Sequence, residues 1–444
     1  MDGKRTSQAI VTAREESHDR GDGVGDEHYS YRLDNAAKIF PGMLSRRRST
    51  VFRLAATLRE AIDVATLQEA YDAMLQRCPY FHVELRKGVF WYYFERSAVP
   101  ALVEAESRYP CMYIPFKRRG VHPFRLIAFR NRIAFEVSHI LTDGAGALAF
   151  LNGVIAEYLR RRGVPLDTRE LPVDVHRPID EEEYEDSFAR EYRPRIPPAP
   201  PSSPALHFGG TAMPPPVFLV VEGRIPGKEL KNVAREQNVT IGEYLTALLI
   251  DVAREEMEFR GLSPRPIRVS IPINLRRFFP SRTMRNFVLA VDPGVDFRLG
   301  DFGFDDILAK VHYFMRSELD AKHIRRQIVR NMKSEKNPFI RIVPLLIKDP
   351  ILRWAYSLYG TRNFTIGFSN LGNVSVPEAM QPYIEGYSFI PPPHNNALNA
   401  TAIAFAGETR LAFAGTTGDR SIERRFFARL RERGVPVAIT TNRS

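Results

Sequence analysis

The chain has 444 residues, a formal net charge of +11, 44% hydrophobic residues and 26% charged residues. This length exceeds one ordinary core and predicts two domains of about 200 residues each, and the composition is that of a globular protein. With only Cys78 and Cys111, the chain offers neither a disulfide framework nor a metal-ligand cluster. Its apolar runs are shorter than the ~20 residues that span a bilayer, and no apolar signal core follows Met1. We therefore expect a cytoplasmic protein without a transmembrane segment.

The positive charge is compatible with three interpretations. The first is a solvated surface with surplus arginine. The second is nucleic-acid binding, but no binding motif accompanies the charge, and the triplets Arg46–Arg48 and Arg160–Arg162 are short and separate. The third is a basic opening for an anionic small substrate, such as a phosphate-bearing acyl carrier. We expect no nucleic-acid partner.

The first half of the chain predicts a mixture of strands and helices. Residues 1–28 are polar and rich in glycine, which indicates a disordered tail. Pro41 is expected to end a helical turn that starts near Leu33. Thr66 and Glu69 have capping-box spacing in a helix over residues 63–77. Alternating residues predict strands at 51–58, 81–85, 89–95, 124–129 and 133–139.

A proline-rich stretch, 186–216, predicts an extended linker between an N-terminal subdomain, 29–185, and a C-terminal subdomain, 217–444. Thr240 and Glu243 form a capping box at the start of a helix reaching about Met257. The other predicted elements are strands at 217–225 and 267–273, a charged helix at 305–329, a strand running into a turn at 369–373, a hairpin at 400–414 and a helix at 422–433. No glycine-rich phosphate loop is present, so the pattern favours an α+β sandwich over a nucleotide-binding fold.

The segment Ser138–Gly144 joins an alternating strand to a helix and carries the candidate catalytic residues. His139 continues the apolar side of the strand, and Thr142 or Asp143 is the predicted helix N-cap. An imidazole takes and returns a proton near neutral pH, so we predict His139 as a general base with Asp143 beside it. The alternative is a buried structural histidine with Asp143 as a cap only. A chance His-x-x-x-Asp-Gly is expected only about 0.03 times per chain of this composition, which favours the catalytic interpretation.

His139-x-x-x-Asp143-Gly144 resembles the active-site motif of the CoA-dependent acyltransferase superfamily, which includes chloramphenicol acetyltransferase, condensation domains, wax ester synthases and alcohol acetyltransferases. The resemblance extends from about Tyr29 onward. The stretch Leu33–Pro41 looks like the opening of bacterial alcohol acetyltransferase-like proteins. Further similar pieces are Ile271–Arg276 with Arg285–Phe287, and Phe368–Gly372.

The resemblance implies two chloramphenicol-acetyltransferase-like α/β sandwich subdomains that meet in a V, with the active-site channel between them. It implies an acyltransferase in which His139 activates an alcohol or amine for direct attack on an acyl-CoA thioester, without a covalent acyl-enzyme. Asp143 would pair with an arginine, for which Arg276 is our candidate. Gly144 and Gly146 would let the backbone approach closely. Acyl-CoA is then a co-substrate rather than a bound cofactor, and an acyl carrier protein is the other donor.

Three further residues are candidates for substrate or oxyanion contacts. Ser369 and Asn370 lie in the predicted turn. His394 follows three prolines, and for this residue a role in loop structure is favoured over a catalytic one. Ser138 stands where many members carry a first histidine, which argues against the condensation and wax-synthase branches. The chain also lacks the Asp-Phe-Gly-Trp-Gly sequence of the plant BAHD acyltransferases, which argues against that branch of the superfamily. The alternatives are a catalytically silent binding or scaffold member of the same fold, or a carrier-dependent condensation-type enzyme.

Overall fold

A computed structural model describes residues 30–44, 49–200, 203–359, 362–393 and 398–442. The predicted tail 1–28, the triplet Arg46–Arg48 and the candidate His394 lie outside these residues. The strands and helices within the described ranges have the following bounds.

The strands are β1 Ser30–Arg32, β2 Val51–Leu58, β3 Val83–Lys87, β4 Tyr92–Arg96, β5 Val103–Ala105, β6 Phe124–Phe129, β7 Arg132–Ser138, β8 Leu219–Pro226, β9 Pro266–Asn274, β10 Val288–Val291, β11 Gly294–Asp296, β12 Ile366–Asn373, β13 Ile384–Ile390, β14 Leu398–Phe405, β15 Glu408–Gly415 and β16 Ala438–Thr441. The α-helices are α1 Phe40–Met43, α2 Val64–Arg77, α3 Gly144–Arg161, α4 Ser187–Glu191, α5 Gly227–Glu236, α6 Ile241–Phe259, α7 Phe304–Glu318, α8 Ala321–Lys336, α9 Pro338–Arg341, α10 Leu345–Tyr359 and α11 Ser421–Glu432.

A five-stranded sheet of order β13-β2-β7-β6-β5 organises the first half. Its inner face packs on α2 and α3, because Leu67, Tyr71 and Met74 recur at helical spacing and are fully buried. The sheet positions the candidate site, since β7 ends at Ser138 and α3 begins at Gly144. A separate three-stranded sheet, β1-β4-β3, flanks this half.

One strand crosses between the halves. β13 lies in the predicted C-terminal subdomain, yet it pairs antiparallel with β2, with Tyr387 opposite Ala56. The predicted subdomain division at 217 does not anticipate this pairing, because the alternation of a strand does not indicate which sheet the strand joins. The subdomain boundaries themselves stay predictions.

The second half is built on a large sheet of order β10-β9-β12-β14-β15-β8-β16, with β11 also paired to β9. Its two faces bury different sets of side chains. Leu411 and Phe413 belong to the cluster under α6 and α11, whereas Ala412 and Ala414 belong to the core of the first half. The predicted α+β class with two sandwiched halves is confirmed.

Several local predictions were wrong for identifiable reasons. Pro41 does not end a helix but lies in the first turn of α1. Its missing N–H is harmless there, because the first N–H groups of a helix have no partner within the helix. Asp63, not Thr66, caps α2 by accepting from the Thr66 backbone N–H. The predicted charged helix at 305–329 is two helices, α7 and α8.

The capping box of α6 is present as predicted, with Thr240 and Glu243 bonded reciprocally.

Part of the predicted linker is ordered, since α4 lies within it and buries Phe188. Within the described ranges, no helix has the length and apolar character that a membrane crossing requires.

Candidate active site

His139 lies at the junction of β7 and α3, in the wall of a large cavity. Its backbone N–H donates to the Thr50 carbonyl at 3.0 Å, which continues the pairing of β2 with β7 by one residue. The half-buried imidazole packs against Phe52, with 4.4 Å between ring centroids, and against Phe40 at 6.2 Å. The ring is therefore fixed by the sheet on one side and by aromatic contacts on the other.

Burial between these rings lowers the pKa of His139 from 6.5 to about 4, and the Asp143 carboxylate and a hydrogen bond with the Thr142 backbone oppose the shift. The imidazole is consequently neutral at pH 7 and able to accept a proton. An imidazolium formed during a reaction would be offset by the negative charge of Asp143.

Asp143 is buried, and both of its carboxylate oxygens are occupied. Oδ1 accepts from the backbone N–H groups of Ala145 and Gly146 at 3.1 and 2.9 Å and thereby caps α3. Oδ2 accepts from Arg276 Nη1 and from the Phe287 backbone N–H, both at 2.8 Å. Asp143 therefore holds the loop and does not offer a free oxygen to a substrate.

Arg276 joins the two halves of the molecule. Besides its bond to Asp143, its guanidinium donates to the Thr283 carbonyl at 2.9 Å and to the Arg285 carbonyl at 2.6 Å. The Asp143–Arg276 ion pair that the family resemblance implies is thus present, and the same arginine also closes the loop between β9 and β10. The planar, five-donor guanidinium is suited to binding several oxygens at once.

The start of α3 packs directly on the backbone of the second half. A Cβ added at Gly146 would lie 2.2 Å from the Met284 carbonyl oxygen, so only glycine fits there. The Thr142 hydroxyl donates to the same Met284 carbonyl. A Cβ at Gly144 would meet only the Leu371 side chain, at 3.0 Å.

A buried pair, Asp34 and Asn286, supports the carbonyl of the histidine. Asn286 Nδ2 donates to the His139 carbonyl at 2.9 Å and to Asp34 Oδ2 at 3.0 Å. Burial raises the pKa of Asp34 to about 6, although nearby Arg285 counteracts the shift. This contact could not be predicted from the sequence, because residues 252 positions apart give no local signal.

The cavity beside His139 has a volume of about 1350 Å³ and is lined from both halves. Ser369 and Asn370 both line it, but they lie within β12 rather than in a turn. Asn370 Oδ1 accepts from the Gly372 backbone N–H at 2.8 Å, and Gly372 has a φ of +73°. In place of the predicted turn, the pairing of β12 with β14 has a register shift between Asn370 and Asn373.

The first turn of α6, from Thr240 to Glu243, also lines the cavity. So do Leu345, Lys348 and Leu352 of α10, a helix that the sequence analysis did not predict. The proline at 350 obscured it, because proline inside a helical pattern normally signals a break.

The described part of the chain contains no group of three or more His, Cys, Asp or Glu side chains that could hold a metal ion. The triplet Arg160–Arg162 forms ion pairs with acidic neighbours rather than a free basic patch: Arg160 with Glu157 and Asp174, Arg161 with Glu157 and Glu69, and Arg162 with Glu60.

No model of a protein family matches the chain, and no curated protein is detectably similar in sequence. Solved structures do match. Polyketide synthase associated protein 5 from Mycobacterium tuberculosis is 15% identical, with 90% of this chain and 96% of that chain covered and a TM-score of 0.60. F. graminearum TRI101, solved with coenzyme A and deoxynivalenol, is 13% identical over 92% and 99% of the two chains, with a TM-score of 0.61.

The epimerization domain from the third module of tyrocidine synthetase B is 11% identical over 93% and 97% of the chains, with a TM-score of 0.55. These matches span nearly the full length of the three proteins, which differ from one another in their named roles. The chain therefore shares the fold of these structures, which is the two-subdomain, chloramphenicol acetyltransferase-like fold that the resemblance in its motif implied.

Proposed function

We propose that the protein is an acyltransferase that moves an acyl group from acyl-CoA to a small alcohol or amine, with His139 as the general base. One observation carries the proposal: a neutral, aromatic-packed imidazole lies in the wall of a cavity that both halves of the molecule line. A base needs an acceptable protonation state and access to substrate; the low pKa of His139 and its position in the cavity wall support both.

In the proposed reaction, a ring nitrogen of His139 takes the hydroxyl or amine proton while the oxygen or nitrogen attacks the thioester carbonyl carbon. The tetrahedral intermediate collapses by breaking the carbon–sulfur bond. The CoA thiolate then receives the proton from the imidazolium, so the products are free CoA and the ester or amide. No side chain becomes acylated.

The remaining site residues take supporting roles. Asp143, Arg276 and Gly144 hold the histidine loop, and the Asp143 charge stabilises the transient imidazolium. Ser369 and Asn370 are proposed to contact the substrate or the oxyanion, because they line the same cavity. His394 lies outside the described residues and stays a candidate from the sequence alone.

The resemblance of the fold to a peptide-synthetase domain keeps a carrier-bound acyl donor as the alternative to free acyl-CoA. The two donors share the thioester and the phosphopantetheine arm, and they differ in whether that arm is attached to a nucleotide or to a carrier protein.

The experiment is to incubate the purified protein with a mixture of acyl-CoAs and a pooled set of alcohols and amines, and to analyse the products by mass spectrometry. We expect acylated acceptor and free CoA in equal amounts. Free CoA without acylated acceptor would indicate hydrolysis, and neither product across acyl-CoA and acyl-carrier donors would support a binding or scaffold role instead.

A further inference from the structure

Helix α10 presents an apolar face to solvent. Leu346 is 77% exposed, Ile347 and Ile351 are each 55% exposed, and Trp354 is 64% exposed. These residues, with exposed Pro350, follow one another at the three- and four-residue spacing of a single helix face. Helices at a protein surface normally turn this face inward, so the orientation needs a reason.

The inward face of the same helix carries the polar residues. Asp349 is buried and accepts from the Tyr92 hydroxyl at 2.7 Å. Lys348 is also buried; its Nζ donates to the Phe90 carbonyl at 3.1 Å and lies 3.5 Å from the Trp91 ring centre. Because buried charged groups are costly without polar partners, these contacts favour the observed orientation of α10, which leaves its apolar face outward.

Neighbouring segments extend the apolar surface. Ile340 and Ile342 precede α10 and are 39% and 68% exposed. Val89 and Phe90, 68% and 42% exposed, lie in the β3–β4 hairpin, where the Val89 carbonyl accepts from the Leu345 backbone N–H at 2.8 Å. We call this set the outer apolar surface: Val89, Phe90, Ile340, Ile342, Leu346, Ile347, Ile351 and Trp354. Contiguous apolar surface of this kind is uncommon on a soluble monomer and marks an interaction site.

Cations border the outer apolar surface. Lys87, Lys117 and Arg353 line a small cavity between the hairpin and α10, where the one carboxylate, Asp349, is bonded to Tyr92. Arg341 is exposed between Ile340 and Ile342. The surface thus combines apolar and tryptophan side chains with lysine and arginine.

The same segment forms a wall of the cavity that contains His139. Leu345, Lys348 and Leu352 line that cavity, while Leu346, Ile347 and Ile351 face outward. Ile340, 39% exposed, borders both the cavity and the outer apolar surface. A molecule held against the outer apolar surface would be separated from the cavity by one helix.

We propose that the outer apolar surface docks the protein on a lipid bilayer that contains anionic lipids, with α10 lying in the plane of the interface. A 15-residue helix is too short to span the hydrocarbon core, but its apolar face with flanking cations has the character of an interfacial helix. A second copy related by twofold symmetry would bring the same cations together, which disfavours self-association through this surface.

Vesicle flotation tests the proposal directly. The full chain is mixed with vesicles of phosphatidylcholine alone or with roughly 30% phosphatidylglycerol, in which the negative surface potential attracts basic segments. We expect binding to the anionic vesicles that weakens as salt is raised. Combined replacement Leu346→Ser, Ile351→Ser and Trp354→Ser should reduce binding about tenfold or more. Leu299→Ser is the matched control, because Leu299 is 76% exposed outside this surface and should not matter.

The tryptophan content permits a site-specific readout. Trp91 and Trp354 are the two tryptophans of the chain, so Trp91→Phe leaves Trp354 as the single reporter. Its emission should shift to shorter wavelength on anionic vesicles and be quenched by brominated lipid. The proposal would be overturned if the wild type did not float with anionic vesicles, or if the wild type and the triple variant floated equally. It would also be overturned if the wild type formed a dimer that the triple variant disrupts and the Leu299→Ser control does not. None of these readouts uses catalysis, so they are independent of the proposed activity.

Discussion

Arg276 Nη1 lies 2.8 Å from Asp143 Oδ2, which connects the histidine loop of the first half to the β9–β10 loop of the second. The carboxylate is 1% exposed and the guanidinium 15% exposed. The ion pair is therefore shielded on the carboxylate side, and its removal affects both halves.

Asp143→Ala should lower the free energy of unfolding by roughly 3–5 kcal/mol, because it leaves a largely buried arginine and removes a helix cap. Arg276→Lys keeps the charge but loses the fork that binds the Thr283 and Arg285 carbonyls, and should also be destabilising. Urea unfolding of the two variants and their combination measures the coupling. Strictly additive effects would contradict a direct interaction.

Gly146→Ala should disturb the joint between the halves, because its Cβ would lie 2.2 Å from the Met284 carbonyl oxygen. We expect a loss of roughly 1–3 kcal/mol or more in unfolding free energy. Gly144→Ala is the control, since its Cβ meets only the movable Leu371 side chain. Thermal unfolding of both variants tests the prediction, and equal stability would show that the Met284 backbone yields easily.

Asn286→Ala removes a donor from the His139 carbonyl and from buried Asp34. We expect about 1–3 kcal/mol of destabilisation and a fall in kcat of about tenfold, because the histidine loop loses its support. Asn131→Ala is the matched control, since Asn131 Nδ2 donates to the Leu58 carbonyl away from the cavity. If both variants kept wild-type kcat, Asn286 would have no positioning role.

The low pKa of His139 predicts an unusual pH dependence. A base with a pKa of about 4 remains about 97% neutral at pH 5.5, whereas one at 6.5 is only about 9% neutral. We therefore expect kcat/KM to stay nearly constant from pH 8 to pH 5.5. An inflection near pH 6.5 that belongs to His139 would contradict the buried environment seen here.

The same shift has a consequence for stability. Between pH 6.5 and pH 4, His139 is protonated in the unfolded chain but remains neutral in the folded chain. The contribution of His139 to stability therefore falls as the pH drops from about 6.5 to about 4, and it is constant outside that window. Urea unfolding of the wild type and of His139→Gln across this range measures the difference.

Local chemistry allowed a large part of the fold to be predicted. The strand β2, the helix α6 with its Thr240–Glu243 box, and the β14–β15 hairpin follow from alternation, capping and turn residues that act over a few positions. The His139–Asp143–Gly144 segment was located for the same reason.

Long-range relationships could not be predicted in this way. The pairing of β13 with β2 and the contact of Asn286 with Asp34 join distant residues whose local sequence is ordinary. Helix α10 was missed because Pro350 and its outward apolar face both contradict the pattern of a globular helix. The Asp143–Arg276 pair was anticipated only through the family resemblance.

The most direct test of the account is the rate of CoA release by His139→Ala with an acceptor that the wild type uses. If His139 is the general base, kcat should fall by about 100-fold or more while the protein remains folded. His82→Ala is the control, because His82 stacks on His122 away from the cavity, and it should retain wild-type turnover. Undiminished turnover by His139→Ala would contradict the proposed mechanism.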